Sequence, residues 1–357
     1  MKVRFFAICA FNALCHRMDS TRLTTLANVF MLETDSPILE IPDINSYNLY
    51  FGWYLGELAQ NDRFFDDYHA KFPERVIGFS EYGADANPQF HSSSPERGDY
   101  TEEYQCLYHE HLLKCIEDRP YLWATHVWNL FDFAADGRDE GGKKGVNQKG
   151  LVTIDRELKK DAFYLYKAAW SKEPFVHLCG RRYAERAESA TEIRVYSNQE
   201  QVALYVDGTL VGAQAGRRVF TFTIPLTATH EIRAVAGDCT DAMTIHHADK
   251  PNAGYQFVKT EIVNWFDKEE YHPECYSIRD TLGELKQNPQ AAVLCEELMG
   301  ILRATRGDVA RSSAKNAGLE KMMEHMRLDG LIKQVGDAVD PEVVRSYNEK
   351  LQRIRKK

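Results

Sequence analysis

Over the first 172 positions, apolar runs of strand length alternate with stretches of helical spacing. Residues 23–29, 44–51, 76–79 and 121–128 are rich in β-branched and aromatic side chains and read as strands. Between them, 56–70 and 101–117 read as helices, and in the second Tyr104, Leu107, Tyr108 and Cys115 fall on one face. Strands alternating with helices predict βα units around a parallel sheet. Four such units fall short of the roughly 250 residues of a closed eight-stranded barrel.

From residue 173 the period changes to two. Ile193 and Val195 alternate with polar neighbours, as do Val202, Leu204 and Val206, then Phe220, Phe222 and Ile224, then Arg233 and Val235 against Ile232 and Ala234. Asp207-Gly208 between two apolar runs is a hairpin signal. Short alternating strands at this spacing predict an antiparallel β-sandwich, entered at Ser171-Lys172-Glu173-Pro174. From 256 to the end the pattern is helical: Leu294, Leu298 and Ile301 share a face, and Asp340-Pro341 reads as an N-cap with proline in the first turn. Asn288-Pro289 and Gly330 are expected breaks. The fold class is therefore multidomain, α/β followed by all-β, with expected divisions 1–172, 173–255 and 256–357.

Composition narrows the function without naming it. With 357 residues, 44% hydrophobic and 27% charged, the chain is that of a globular protein of two or three domains. A formal charge of −9 argues against nucleic-acid partners. No stretch approaches the roughly 20 apolar residues of a membrane span, so no membrane partner is expected. Lys2 and Arg4 ahead of an apolar run mimic a secretory leader. Asn12 interrupts that run and Phe6, Ala10, Ala13, Leu14 and Arg17 keep helical spacing, so a packed helix is expected there. The eight cysteines lack paired spacing and read as reduced thiols, which places the expected location in the cytoplasm.

Candidate chemistry concentrates at strand ends. The run 76–79 leads into Ser80-Glu81-Tyr82-Gly83, and a carboxylate at the C-terminal end of a βα strand is placed to attack an anomeric carbon. Trp128, Asn129 and Asp132 follow the fourth strand and suit a stacking wall and hydroxyl contacts, while a buried strand with a helix cap at Asp132 is the alternative. Asn147-Gln148-Lys149-Gly150 offers an amide and an ammonium on a glycine-bounded loop. Tyr47, Asn48 and Tyr50 crowd the end of the second strand. Gly78-Phe79-Ser80 begins like a serine-hydrolase elbow, but the second glycine falls one residue late, at Gly83. His109 and His111 diverge by about 200° on a helix and are expected to be solvated; no metal ligands and no cofactor are expected.

Taken together these segments resemble family 2 glycoside hydrolases, the family of β-galactosidases and β-glucuronidases. Asp19–Thr25, Tyr47–Tyr54, Ser80–Gly83, Trp128–Phe133 and Asn147–Leu151 match in the family's order, and the likeness covers about residues 10–172. The resemblance implies strands five to eight of a (β/α)8 TIM barrel, then an Ig-like β-sandwich, then a helical C-terminal region. It implies a retaining mechanism with Glu81 as nucleophile, and a substrate site drawing on Tyr47, Asn48, Tyr50, Tyr82, Trp128, Asn129, Asn147 and Lys149. The family's acid/base glutamate belongs to an Asn-Glu pair on strand four, whereas the pair Asn348-Glu349 here falls in the helical end. A truncated form, weakly active or inactive alone, is thus expected. Its partners would be a β-galactoside, and the missing half-barrel or a second copy of the chain. A terminal β-D-galactoside is the expected substrate because a sandwich follows the barrel in many bacterial β-galactosidases. The alternatives are a β-glucuronidase portion, favoured by Asn147-x-Lys149, and a non-catalytic carbohydrate-binding or scaffold module.

Overall fold

The computed structural model describes residues 2–30, 32–54, 56–257, 272–304, 323–335, 339 and 341–356. The chain falls into two compact units, Met1–Arg75 with Val263–Lys357, and Val76–Ile262. Among the described residues no helix is long and apolar enough to cross a membrane.

The first unit opens with α1 (Lys2–Met18), followed by β1 (Thr25–Val29), β2 (Ile44–Asn48) and α2 (Ala59–Lys71). The helix expected at the start forms, but it is not packed as expected. Phe6, Phe11 and Met18 are 69%, 68% and 79% exposed. β1 and β2 run parallel, with Thr25 opposite Ile44 and Val29 opposite Asn48. The buried polar groups of this pair are satisfied locally: Asn28 donates to the Ser46 carbonyl and Asn45 to the Leu39 carbonyl, each at 2.9 Å. Toward the C-terminal end lie α5 (Leu282–Lys286), α6 (Pro289–Ala304), α7 (Leu328–Val335) and α8 (Pro341–Leu351). Thr281 and Glu284 form a capping box at the start of α5. Leu285, Leu298, Leu328 and Leu351 are fully buried in one cluster. Pro341 does open a helix, whereas Asp340 lies outside the described residues. Gly330 is no break; it sits inside α7, whose Leu328 and Leu331 are buried. A glycine costs a helix only about 1 kcal/mol, which burial of two leucines outweighs.

The second unit begins with β3 (Ile77–Tyr82), α3 (Glu102–Glu117), β4 (Leu122–Val127), the hairpin β5 (Phe133–Glu140) and β6 (Lys143–Asn147), and α4 (Asp161–Trp170). β3 and β4 are parallel, with Ile77 opposite Leu122 and Tyr82 opposite Val127. Eight strands follow: β7 (Val176–Leu178), β8 (Glu185–Arg186), β9 (Ala190–Ser197), β10 (Gln201–Val206), β11 (Thr209–Ala215), β12 (Arg218–Pro225), β13 (Thr229–Ala236) and β14 (Cys239–His247). They form sheets of order β11-β10-β13-β14-β8 and β12-β9-β7. Of the alternating residues, Ile193, Val195, Val202 and Leu204 are fully buried in one core with Phe220, Phe222 and Ile224, Val206 packs against it half-buried, and of the two faces of β13 it is Ile232 and Ala234 that enter it. Asp207 and Gly208, at φ 50° and 80°, turn β10 into β11.

Helix α3 is tied to this sandwich along one face. Glu102 takes a bidentate contact from Arg182, Glu110 meets Arg194 at 3.2 Å and the Tyr196 hydroxyl, and Glu117 pairs with Arg218.

Candidate active site

Three segments lie side by side at the C-terminal end of β3. The Trp128 amide donates to the Tyr82 carbonyl at 2.8 Å, extending the β3–β4 ladder past Glu81. The Asn129 amide donates to the Lys149 carbonyl at 3.1 Å, and the Leu151 amide returns to the Asn129 carbonyl at 3.0 Å. Two glycines permit this close approach. A methyl group at Gly83 would collide with the Trp128 carbonyl oxygen, and one at Gly150 with the backbone of Phe131 and Asp132. Gly83 also faces the Lys149 side chain: a Cβ there would lie 3.8 Å from Lys149 Cδ. The Asn147–Gly150 segment is therefore fastened beside Glu81, which is half-buried at the end of β3.

Charges in this segment are buried and paired. The Lys149 ammonium bonds to Asp85, whose other oxygen accepts from Arg138 and from the Gln148 amide, each at 3.0 Å. Burial pushes the Asp85 carboxyl up, but Lys149 and Arg138 outweigh it and hold it below its usual range. Burial likewise pulls Lys149 down to about 8, opposed by Asp85, so the pair stays ionised at neutral pH. Lys160 makes a second node: its ammonium donates to Asp132 at 2.8 Å and to the carbonyls of Ala86 and Gln148 at 2.7 and 2.8 Å. One buried cation thereby ties together the loops that follow β3, β4 and β6. Gln105 on α3 adds a bond to the Ala84 carbonyl at 2.9 Å.

Behind β3 runs a chain of hydroxyls. Tyr166 on α4 donates to the Tyr82 hydroxyl at 3.2 Å and lies 2.8 Å from His109 Nδ1 on α3. With the Tyr166 proton committed to Tyr82, the network assigns the His109 proton to Nδ1. Burial holds His109 neutral, with its pKa lowered to about 3. The expectation of solvated histidines is thus corrected for His109, which is fully buried against α4 and β3.

The expected substrate residues separate into two groups. Trp128 and Asn129 are half-exposed and Asn147 is 8% exposed, all on the segments beside Glu81. Tyr82, in contrast, is fully buried and directed at the helices, which corrects its placement as a substrate contact. In the first unit, Tyr47 is fully buried with its ring edge-on to Phe64 at 5.0 Å and Tyr68 at 6.1 Å. It too is a core residue, because strand alternation turns it toward α2. Asn48 ends β2 and Tyr50 is half-buried beside Tyr54. Asp132 does not cap a helix; it receives Lys160. The ion pairs of Asp85, Arg138 and Lys160 were not legible in the sequence, since the partners lie 28 to 64 positions apart.

No protein-family model matches the chain. A β-glucuronidase from Bacteroides fragilis is 38% identical over 209 residues, 57% of this chain and 30% of that protein. The crystal structure of an FMN-binding β-glucuronidase from Faecalibacterium prausnitzii L2-6 superposes with a TM-score of 0.70 at 46% identity, over 71% of this chain and 40% of that one. A provisionally named β-galactosidase from Bacteroides fragilis gives 0.66 at 30% identity, over 70% of this chain and 39% of that one. The homologues of this chain are therefore glycosidases of glycoside hydrolase family 2 type, most of them named as β-glucuronidases. The chain spans less than a third of the length of the curated relatives it matches. These likenesses leave the expected galactosidase specificity unconfirmed and fit its glucuronidase alternative better.

Proposed function

We propose that this chain carries the nucleophile-bearing portion of a retaining β-glucuronidase, with Glu81 attacking the anomeric carbon and the Asn147–Lys149 loop facing the sugar's carboxylate. The observation that carries the reading is the fastening of that loop beside the Glu81 strand end. Asn147, 8% exposed on that loop, offers its amide to a sugar carboxylate, while the buried Lys149 ammonium is engaged by Asp85 and holds the loop in place. In this reading β1 to β4 are strands five to eight of a (β/α)8 barrel, followed by the sandwich and the helical end.

In the first step the Glu81 carboxylate forms a bond to the anomeric carbon as the glycosidic bond breaks, and a second carboxyl gives the leaving oxygen its proton. In the second, water displaces Glu81 and the same group, now a carboxylate, takes a proton from that water. The residues matching the family supply one carboxyl of this pair. Turnover of ordinary glucuronides by this chain alone should therefore be slow or absent.

The nucleophilic step can be tested alone, because a dinitrophenolate leaves without a proton. We expect a 2-deoxy-2-fluoro-β-glucuronide of 2,4-dinitrophenol to leave a sugar adduct on the peptide containing Glu81, seen by mass spectrometry, and none on Glu81→Gln. An adduct from the β-galactoside analogue instead would restore the galactosidase reading. Absence of adduct from both would remove Glu81 from the nucleophile role.

A further inference from the structure

On the face of the β12-β9-β7 sheet turned away from the sandwich core lies a cluster of metal-ligating atoms that the carbohydrate reading does not use. β7 carries Val176 and Leu178 into the sandwich core, so strand alternation turns His177 and Cys179 together toward α4. Cys179 continues the ladder, its amide donating to the Arg194 carbonyl at 2.9 Å. Facing them is Asp161, the first residue of α4. One ligand atom from each of Asp161, His177 and Cys179 lies within 4.8 Å of the others, and the three residues are 3%, 9% and 6% exposed.

The surroundings are those of a ligand set. His177 Nε2 points at Asp161 Oδ1, 2.9 Å away, while its Nδ1 faces Asp241 at 3.8 Å. A carboxylate behind the second ring nitrogen is the usual support of a metal-bound histidine. Tyr164 stacks on the ring at 3.6 Å and 10°, fixing its plane. The other Asp161 oxygen accepts from the Gly180 amide at 2.7 Å. Arg182 approaches Asp161 Oδ1 at 3.4 Å, but its charge is engaged in the bidentate contact with Glu102. A histidine–aspartate pair needs no sulfur; the thiol on the same face is what a metal would add.

We propose that Asp161, His177 and Cys179 bind a borderline-soft divalent transition ion of the zinc class, with Asp241 supporting His177. Nitrogen, sulfur and oxygen donors in a small set select zinc-like ions over magnesium or calcium. Ligand atoms of a tetrahedral zinc site lie roughly 3.3–3.9 Å apart, so the 4.8 Å limit on the cluster allows a closure of at most about 1.5 Å while the 2.9 Å His177–Asp161 pair opens slightly. Binding releases the thiol proton of Cys179 to solvent, requires the neutral His177 ring to carry its proton on Nδ1, toward Asp241, and no longer on Nε2, and replaces the direct His177–Asp161 contact.

The test uses the full chain, freed of metal with a chelator. Zinc chloride titrated against a chromophoric competitor should show one tight equivalent, with a Kd of roughly 1 µM or below. Cobalt(II) in its place should give a thiolate-to-metal absorption band. Cys179→Ser should abolish the band and weaken zinc at least about 100-fold, and Asp241→Asn should weaken it about 10- to 100-fold. A wild-type chain without the band overturns the proposal. So does a band that survives Cys179→Ser, which would place the ion on another thiol such as the exposed Cys15. Should Cys179→Ser fail to fold, Asp241→Asn decides: unchanged affinity in that folded variant also overturns it.

Discussion

Lys160 shows how much a single side chain can hold. It is fully buried, and its ammonium satisfies one carboxylate and two carbonyls drawn from three separate loops. Burial lowers its pKa, while Asp132 acts to keep it charged. Replacing it with methionine fills the space but strands Asp132 as a buried anion, at a cost of roughly 3–5 kcal/mol. Urea unfolding should show Lys160→Met destabilised by that amount. The exposed neighbour Lys159→Met should stay within about 0.5 kcal/mol of the parent. Nothing in the sequence around residue 160 announces this role. The place of Glu81 at the end of β3 was legible because residue and strand are adjacent in the chain. Lys160, Asp85 and Arg138 were not, because their meaning lies in partners brought near by folding.

Elements repeat that contrast. The Asp207-Gly208 hairpin was readable because a two-residue turn depends on two residues alone. Gly208 has φ 80° and open space where a Cβ would go. Gly208→Ala should therefore cost only the left-handed strain of about 1–2 kcal/mol, with no clash, and leave the β10–β11 register intact by amide exchange. Strand starts were also close: 44 for β2 and within a residue for β3 and β4. Ends were not. β2 stops at Asn48, well before the aromatic run ends, as the chain turns through Tyr50–Tyr54 into Gly52 at φ 85°. β5 and β6 were missed because their charged, glycine-bearing sequences lack the period of a half-buried strand. The exposed face of α1 was missed for the opposite reason. Helical spacing of apolar residues forecasts a helix, but it does not say what covers it.

At the scale of the whole unit, buried histidines couple stability to pH in opposing directions. His109 has a folded pKa of about 3 against an unfolded value near 6.5. The unfolded chain therefore binds the extra proton between those values, and His109 removes stability as pH falls through that window. For His91, burial is outweighed by the hydrogen bond and charge of Glu103, and the folded pKa is raised. Its contribution is present below the unfolded value and is lost as pH rises through the folded one. The His109 share is isolated by comparison with His109→Asn, which keeps a donor for Tyr166 and cannot protonate. We expect the variant's stability to fall less steeply between pH 6.5 and 4, by about 1.4 kcal/mol per pH unit, in denaturant titrations.

The three glutamates of α3 bear on how such proteins diversify. Glu102, Glu110 and Glu117 each meet an arginine of the sandwich, and Glu102 is 1% exposed. The sequence suggested a seam near residue 172, yet a crossover there between two diverged relatives would pair one parent's carboxylates with the other's mismatched surface. Recombination that keeps α3 and the sandwich from the same ancestor conserves every pair. A chimera joined near residue 172 should therefore be less stable than one that takes α3 and the sandwich from the same parent, as urea unfolding of the two would show.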